Sequence, residues 1–455
     1  MELRPYQQEV AKAVVESILG KKGLTLSVEI ARQGGKNELS AHLEVLLLTM
    51  FMAKGGNAVK CSPTFKPQTV ISMMRLKERL DEFGFAGIYR PELGYILRLG
   101  NAAIVFLSAD EQASVVGHTA DILLEIDESQ DVSKDKYTKD FRPMASAFNT
   151  TTVHYGTTWD DSTLLEEIKQ TNQELERKDG VKRHFRYDWQ EIGKHNPNYL
   201  AFVESERDRL GESHPLFLTQ YALKPIRGGG GFLTQAQLAT LSGGHVRRHA
   251  PDQGKTYVAG VDLAGEEEQV DELILTRPSR DATVITIAEL EAIQRSTALP
   301  IQPSLKVMEH YSWIGKKHSE VFNQMLHILK DTWGVSRVVV DATGIGEPIA
   351  SFLRQAMGSR VAPFVFTQKS KSELGFELLA FINSARLQLY KQDGSEDYQE
   401  LMRQLERAKS VYRPNQTLNF FVNPSEGHDD YLMSLALLVW AAKDYRPRTA
   451  RGEVR

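Results

Sequence analysis

The stretch "LTLSVEIARQGGKNELSAHLEVLLLTMFMA" (24–53) holds three kinds of text in a row. "LTLSVEIA" (24–31) is short, apolar and β-rich, and reads as a strand. "KNELSAHLEVLLLTMFMA" (36–53) has the period of a helix. Between them stand Arg32, Gln33, Gly34 and Gly35, a tight glycine turn. A strand that feeds a helix through such a turn is the layout of a phosphate-binding loop, because the turn's N–H groups and the helix N-terminus both attract anions. The general pattern is G-x-x-x-x-G-K-[ST]. Gly35 and Lys36 keep their places, but Ile30 stands where the first glycine belongs and Asn37 replaces the hydroxyl residue. A bare Gly-Lys pair also suits an ordinary helix cap, so the decision falls to the rest of the chain.

With 455 residues the chain exceeds one ordinary core and points to two domains or three. Its 41% apolar and 25% charged residues describe a globular protein and exclude disorder of the whole chain. No apolar run reaches the length of a membrane span, "LEVLLLTMFMA" (43–53) reading as a buried helix, and no membrane partner is expected. "MELRPYQQEV" lacks a basic-then-apolar leader, so no secretion signal is expected. The single cysteine, Cys61, excludes an intrachain disulfide framework and favours a reducing, intracellular setting. A net charge of −4 gives no global pull toward nucleic acid, which leaves DNA contact to local basic patches.

"KPIRGGGGFL" (224–233) breaks the chain, since four glycines in a row suit neither helix nor strand. Before it, buried strands are expected at 24–31, 57–65, 121–127 and 151–158, alternating with helices in the α/β manner. After it come three strands in succession, "TYVAGVDLA" (256–264), "ATVITIAEL" (282–290) and "LKVMEHYSW" (305–313). A helix (319–331), the strand "RVVVDA" (337–342) and further alternation follow, ending in "DDYLMSLALLVWAAK" (429–443). Three antiparallel strands followed by alternating helix and strand is the layout of an RNase H-like fold.

In the first half, "ILLEIDES" (122–129) is an apolar strand ending in Asp127 and Glu128. The first acid at such an end can hold Mg²⁺ through water and the second can polarise an attacking water. "HYGTTW" (154–159) ends the next strand in Thr157 and Thr158, which suit a γ-phosphate sensor and equally an ordinary strand end. In "LRPYQQ" (3–8) the Gln7 amide can pair with both edges of adenine. In the second half, Asp262 and Asp341 end strands, and Asp429 with Asp430 opens the last helix. Together they form a carboxylate set for two divalent ions. Each has a plainer reading as a turn residue, and Asp429 as an N-cap. Asp281, just before the second strand, is a further candidate ligand, and His428 a candidate contact to metal or phosphate.

Taken in order, Arg32-x-x-Gly35-Lys36, Asp127-Glu128 and Thr157-Thr158 resemble the motor domain of the large terminase subunit of tailed bacteriophages, where loop variants with Arg four residues before the Lys occur. "GVDLAG", "VVVDATGIGEPIA" and "GHDDYLMSLALLVW" resemble that family's nuclease motifs. The resemblance implies a P-loop, RecA/helicase-like ATPase domain with a parallel sheet at 1–225 and a glycine-rich linker at 226–250. An RNase H-like nuclease domain at 251–445 and a polar tail at 446–455 follow. It implies ATP bound by Gln7, Arg32, Gln33, Gly34, Gly35, Lys36, Asn37, Asp127, Thr157 and Thr158, with Glu128 catalytic. It further implies Mg²⁺, or Mn²⁺ in the nuclease site, held by Asp262, Asp341, Asp429, Asp430 and Asp281. The expected partners are double-stranded DNA, a portal protein and a small terminase subunit, with the chain forming a homo-oligomeric ring on the portal in the host cytoplasm.

The chain departs from that pattern in three places. Val116 stands where some relatives have Arg, which leaves the trans-acting residue unassigned. Glu125 places a charge inside an apolar strand. The loop from Asp262 to Asp281 is long. Basic stretches at 245–249, 315–318 and 368–373 and in the tail are candidate phosphate contacts, with Lys369 and Lys371 nearest the acids. A helicase-like translocase fused to a repair or resolvase-type nuclease shares both chemistries, whereas a nucleotide-gated DNA-binding assembly factor is a non-enzymatic rival in which the acids are structural.

Overall fold

The computed structural model describes residues 2–115, 117–226, 230–264, 282–293, 302–314, 316, 318–344, 346–413 and 415–443. Asp281, the acidic loop 266–272 and the tail lie outside the described residues. The chain divides into two compact units, Met1–Glu204 with Pro215–Gly228, and Ser205–His214 with Gly229–Arg455.

The first unit is an α/β sheet whose strands are β1 (Thr25–Ile30), β2 (Gly56–Ser62), β3 (Arg90–Glu92), β4 (Ile96–Leu99), β5 (Ala102–Ser108), β6 (Leu123–Ile126), β7 (Thr152–Gly156) and β8 (His184–Tyr187). They lie in the order β3-β4-β5-β2-β6-β7-β1-β8. From β5 to β8 every pairing is parallel, and only the β3–β4–β5 meander is antiparallel. Strands covered on both faces need apolar side chains on both, and β5, β6 and β7 are buried at every position. Because these strands run the same way, the residues that follow β1, β6 and β7 emerge at one edge, where open parallel sheets place their ligands. The helices Lys36–Phe51 and Leu164–Asp179 follow β1 and β7. Thr163 caps the second by accepting from Glu166 N, and Gly180 closes it in the left-handed region.

The second unit adds β9 (Gly230–Gly231), β10 (Tyr257–Asp262), β11 (Ala282–Ile293), β12 (Gln302–Ile314), β13 (Arg337–Asp341), β14 (Val361–Phe364), β15 (Leu387–Gln388), β16 (Lys409–Tyr412) and β17 (Leu418–Phe421). Its main sheet runs β14-β13-β10-β11-β12-β15, and a small sheet runs β17-β16-β9. Strands β10, β11 and β12 pair antiparallel, while β10–β13 and β13–β14 are parallel, as the RNase H-like layout requires. Side chains alternate across β10. Val258 joins the core under the helices Gln368–Asn383 and Asp430–Ala442, and Ala259 and Val261 join the core under Gly346–Met357 on the other face. Gly260 decides how closely the last helix can dock. A Cβ there would overlap the backbone at Ser434 and Leu438, whereas with glycine the Ser434 hydroxyl donates to Gly260 O at 3.0 Å.

The boundary differs from the linker expected at 226–250. Gly230 and Gly231 pair with Ser410 and Lys409, and Gln235–Thr240 is a helix capped by Thr234. Consecutive glycines can pair as an edge strand because their N–H and C=O groups remain available. Ser205–His214 also groups with the second unit, where the His214 imidazole meets Phe376 O at 2.9 Å.

Candidate functional site

At the carboxyl edge of the first sheet the turn 31–35 leaves β1. Gly35 has φ 88°, a left-handed value, and a Cβ there would lie 2.7 Å from Gln7 Nε2. The turn is braced from outside. Tyr6 donates its hydroxyl to Gly34 O at 2.6 Å, and Gln7 Nε2 donates to Gly35 O at 2.8 Å. Arg32 is exposed, donates through Nη1 to Gln220 Oε1 at 2.7 Å, and accepts the Tyr199 hydroxyl on its carbonyl at 3.0 Å. Gln33 is exposed with φ 62°, and Asn37 is half-buried in the first helical turn.

Lys36 points from the helix start to the end of β6. Its Nζ lies 3.2 Å from Asp127 Oδ1 and is hydrogen-bonded to Glu128. Burial works against its charge, but Asp127 and Glu128 outweigh burial and hold the ammonium above its ordinary range. Burial likewise acts to raise Asp127, yet Lys36 and Lys60 keep its carboxyl below the usual value. Glu128 has φ 46°, a left-handed conformation that costs a non-glycine residue roughly 1–3 kcal/mol and is found mainly where a side chain must be aimed.

Two predicted residues are engaged otherwise than expected. Gln7 is 3% exposed, and while its Nε2 holds Gly35 its Oε1 accepts from Arg4 N at 2.8 Å, so both ends of its amide are committed to backbone. In this arrangement it braces the loop. Thr158 donates its hydroxyl inward to Glu29 Oε1 at 2.5 Å, and only the half-buried Thr157 remains near the strand end. Sequence reasoning missed Gln130. Its Nε2 donates to Glu128 Oε2 at 2.8 Å and its Oε1 accepts from Thr157 N at 3.2 Å, linking the acid after β6 to the end of β7. Nothing in "DESQ" marks that amide as different from any other. The unexplained Glu125 lies in a buried group with Ser40, Glu44 and Lys60, which ties the helix after the loop to β2 and β6.

In the second unit Val261 pairs with Val340, so Asp262 and Asp341 are the next residues on neighbouring parallel strands. Adjacent strands lie about 4.8 Å apart. Asp341 accepts from Thr343 N at 2.8 Å, and burial pushes its carboxyl up. Asp429 and Asp430 begin the helix packed on β10, β11 and β13. Asp430 Oδ2 accepts from Ala282 N at 2.9 Å, and Asp429 does not cap the helix with its side chain. The donor set is all carboxylate oxygen, which suits Mg²⁺ or Mn²⁺. Among the described residues, however, no three His, Cys, Asp or Glu side chains converge closely enough to enclose one ion. Lys371 is half-buried. Burial lowers its amine while Asp429 and Asp262 act in the opposite sense, which places it beside the acids. With Arg413, Gln368 and Asn419 it lines a cavity of about 300 Å³, and Lys369 is exposed nearby. Arg247 of the 245–249 stretch is instead committed to Glu309 and Asp397.

No protein-family model and no curated protein sequence matches the chain. Solved structures of the large terminase of a thermophilic bacteriophage share its fold. One aligns over 96% of this chain and 98% of its own at 10% identity, with a TM-score of 0.55. The ADP complex of the same phage protein gives 0.53 at 10% identity over 96% and 98% of the two chains. Its ATP-γ-S complex gives 0.51 at 11% identity over 97% and 99%. At such identity the likeness concerns the fold.

Proposed function

We propose that the chain is a DNA-packaging motor of the large-terminase type, which hydrolyses ATP in its first unit and cuts double-stranded DNA in its second. The observation that carries this reading is that each unit gathers the needed side chains by the carboxyl ends of its parallel strands. Lys36, Asp127 and Glu128 do so in one, and Asp262, Asp341, Asp429 and Asp430 in the other.

In the first unit the N–H groups of Gln33 and Gly35 and the start of the helix bind the phosphates, and Lys36 supplies the cation that meets them. Asp127 would hold Mg²⁺, and Glu128 would orient the attacking water. Gln130 and Thr157 relay the state of that acid to β7. In the second unit Asp262, Asp341 and Asp429 would supply carboxylates to divalent cations, with Asp430 beside them and tied to β11. Such cations would supply water activation and stabilisation of the leaving 3′-oxygen. Lys371, Arg413 and Lys369 take the DNA backbone, and that binding weakens with salt. Work on DNA during packaging implies the portal protein and the small terminase subunit as partners and a ring of copies on the portal. Intracellular action fits the buried, unpaired Cys61, and among the described residues no helix is long and apolar enough to cross a membrane.

The test pairs two assays. Lys36→Ala and Glu128→Gln are expected to abolish ATP turnover and keep Mn²⁺-dependent plasmid cleavage. Asp341→Ala is expected to do the reverse. Folded variants that lose both activities together would overturn the assignment of two separable sites.

A further inference from the structure

The helix Asp430–Ala442 has an unusual start. Its first turn leaves N–H groups without partners inside the helix, and the usual remedy is an oxygen from the N-cap residue. Asp429 occupies that position and makes no such bond. The oxygen comes instead from Gln404, on the helix Glu396–Arg407. Its Oε1 accepts from Tyr431 N at 2.8 Å and from Leu432 N at 3.1 Å. Gln404 is 3% exposed, and its Nε2 donates to Glu400 Oε1 at 3.1 Å, which settles which end of the amide faces the turn. Two turns earlier on the same helix, Asp397 Oδ1 accepts the Tyr431 hydroxyl at 2.6 Å, while its Oδ2 receives Arg247 Nη2 at 2.8 Å. The first turn is therefore gripped at two backbone N–H groups and one side chain, by a helix that contributes no acid to the site.

We propose that Gln404 is the positioning residue of the nuclease centre. It caps the helix in place of Asp429 and so sets the Asp429–Asp430 pair against Asp262 and Asp341 for metal binding. A carboxylate used as a cap would be turned toward its own helix. A neutral amide from outside satisfies the same N–H groups and adds no further negative charge beside four acids. This inference rests on the metal-nuclease reading of those acids.

The test measures amide hydrogen exchange at Tyr431 and Leu432 in the metal-free full chain, and Mn²⁺ binding by calorimetry, for wild type, Gln404→Leu and Gln404→Glu. Wild type is expected to protect both amides. Gln404→Leu should speed exchange at these two positions while the second half of the helix keeps its protection. It should also weaken Mn²⁺ binding about tenfold or more, with ATP turnover retained as the control for folding. Gln404→Glu, which keeps an acceptor at the same reach, should restore protection. Free exchange of the two amides in wild type overturns the proposal without any variant. A folded Gln404→Leu protein with wild-type Mn²⁺ affinity overturns it too, as does exchange accelerated along the whole helix, which marks a packing role. Wild type that protects the amides but binds no Mn²⁺ overturns it by removing the nuclease reading beneath it.

Discussion

Glu125 offers a direct test of the electrostatics beneath the ATP site. It is fully buried on β6, and its Oε1 lies 2.9 Å from Ser40 Oγ. The same hydroxyl is 2.9 Å from Glu44 Oε1, and with one proton it serves only one carboxylate at a time. Lys60 Nζ, 2.8 Å from Glu44, supplies one positive charge for two acids. Burial and the charge of Glu44 push Glu125 up to about 8, against the opposing pull of Lys60. The folded protein thus keeps a proton that the unfolded chain releases near 4.5. The resulting stability is complete below 4.5 and is lost as pH rises through about 8. His154 and His184, lowered by burial to about 3 and about 4, act with the opposite sign, but only below the ordinary histidine value near 6.5. Between pH 6.5 and 8 the Glu125 slope therefore stands apart from theirs. At about 1.4 kcal/mol per pH unit it amounts to at most about 2 kcal/mol. For a unit of this size that is a fall in Tm of roughly 4–8 °C. Calorimetric scans at half-unit steps over this range, wild type beside Glu125→Gln, should show that fall in wild type and a flatter profile in the variant. Parallel profiles would mean that Glu125 is ionised in the fold and that the pair holds no extra proton.

Two further substitutions separate bracing from chemistry. Gln7→Leu leaves Gly35 O and Arg4 N without their partner, at a cost of about 1–3 kcal/mol to the loop. It should weaken ATP and GTP equally in equilibrium binding, whereas an adenine reader would lose affinity for ATP alone. Gly260→Ala puts a methyl group into the backbone of the last helix at Ser434 and Leu438. It should destabilise the second unit by about 1–3 kcal/mol or more in urea unfolding and abolish plasmid cutting. Unchanged stability and cutting would mean that the helix can dock farther from β10.

Much of the architecture is legible in local text. The strand–turn–helix at 24–53 and the strands ending in Asp127, Asp262 and Asp341 follow from hydrophobic period, and the structure has them within a few residues of the expected bounds. The short strands β3 and β4, the edge strand β8 and the small sheet of β9, β16 and β17 are harder to read, since short strands near a sheet edge bury little and need no marked pattern. Gly230 and Gly231 are hard to read for a related reason, since an edge pairing uses only backbone and leaves no trace in side-chain type.

By itself, the sequence determined which residues could carry charge to the strand ends, because an acid that closes an apolar strand has nowhere else to emerge. Only the tertiary structure decided how those residues are held. Gln7, Gln130 and Gln404 are amides of no distinctive spacing, and Thr158 is a hydroxyl that looks aimed at a ligand yet donates to the core. An amide has donor and acceptor ends and can serve backbone, acid or ligand alike. Its role is fixed by the groups that packing brings within hydrogen-bond reach, often from distant parts of the chain, and no local pattern records them.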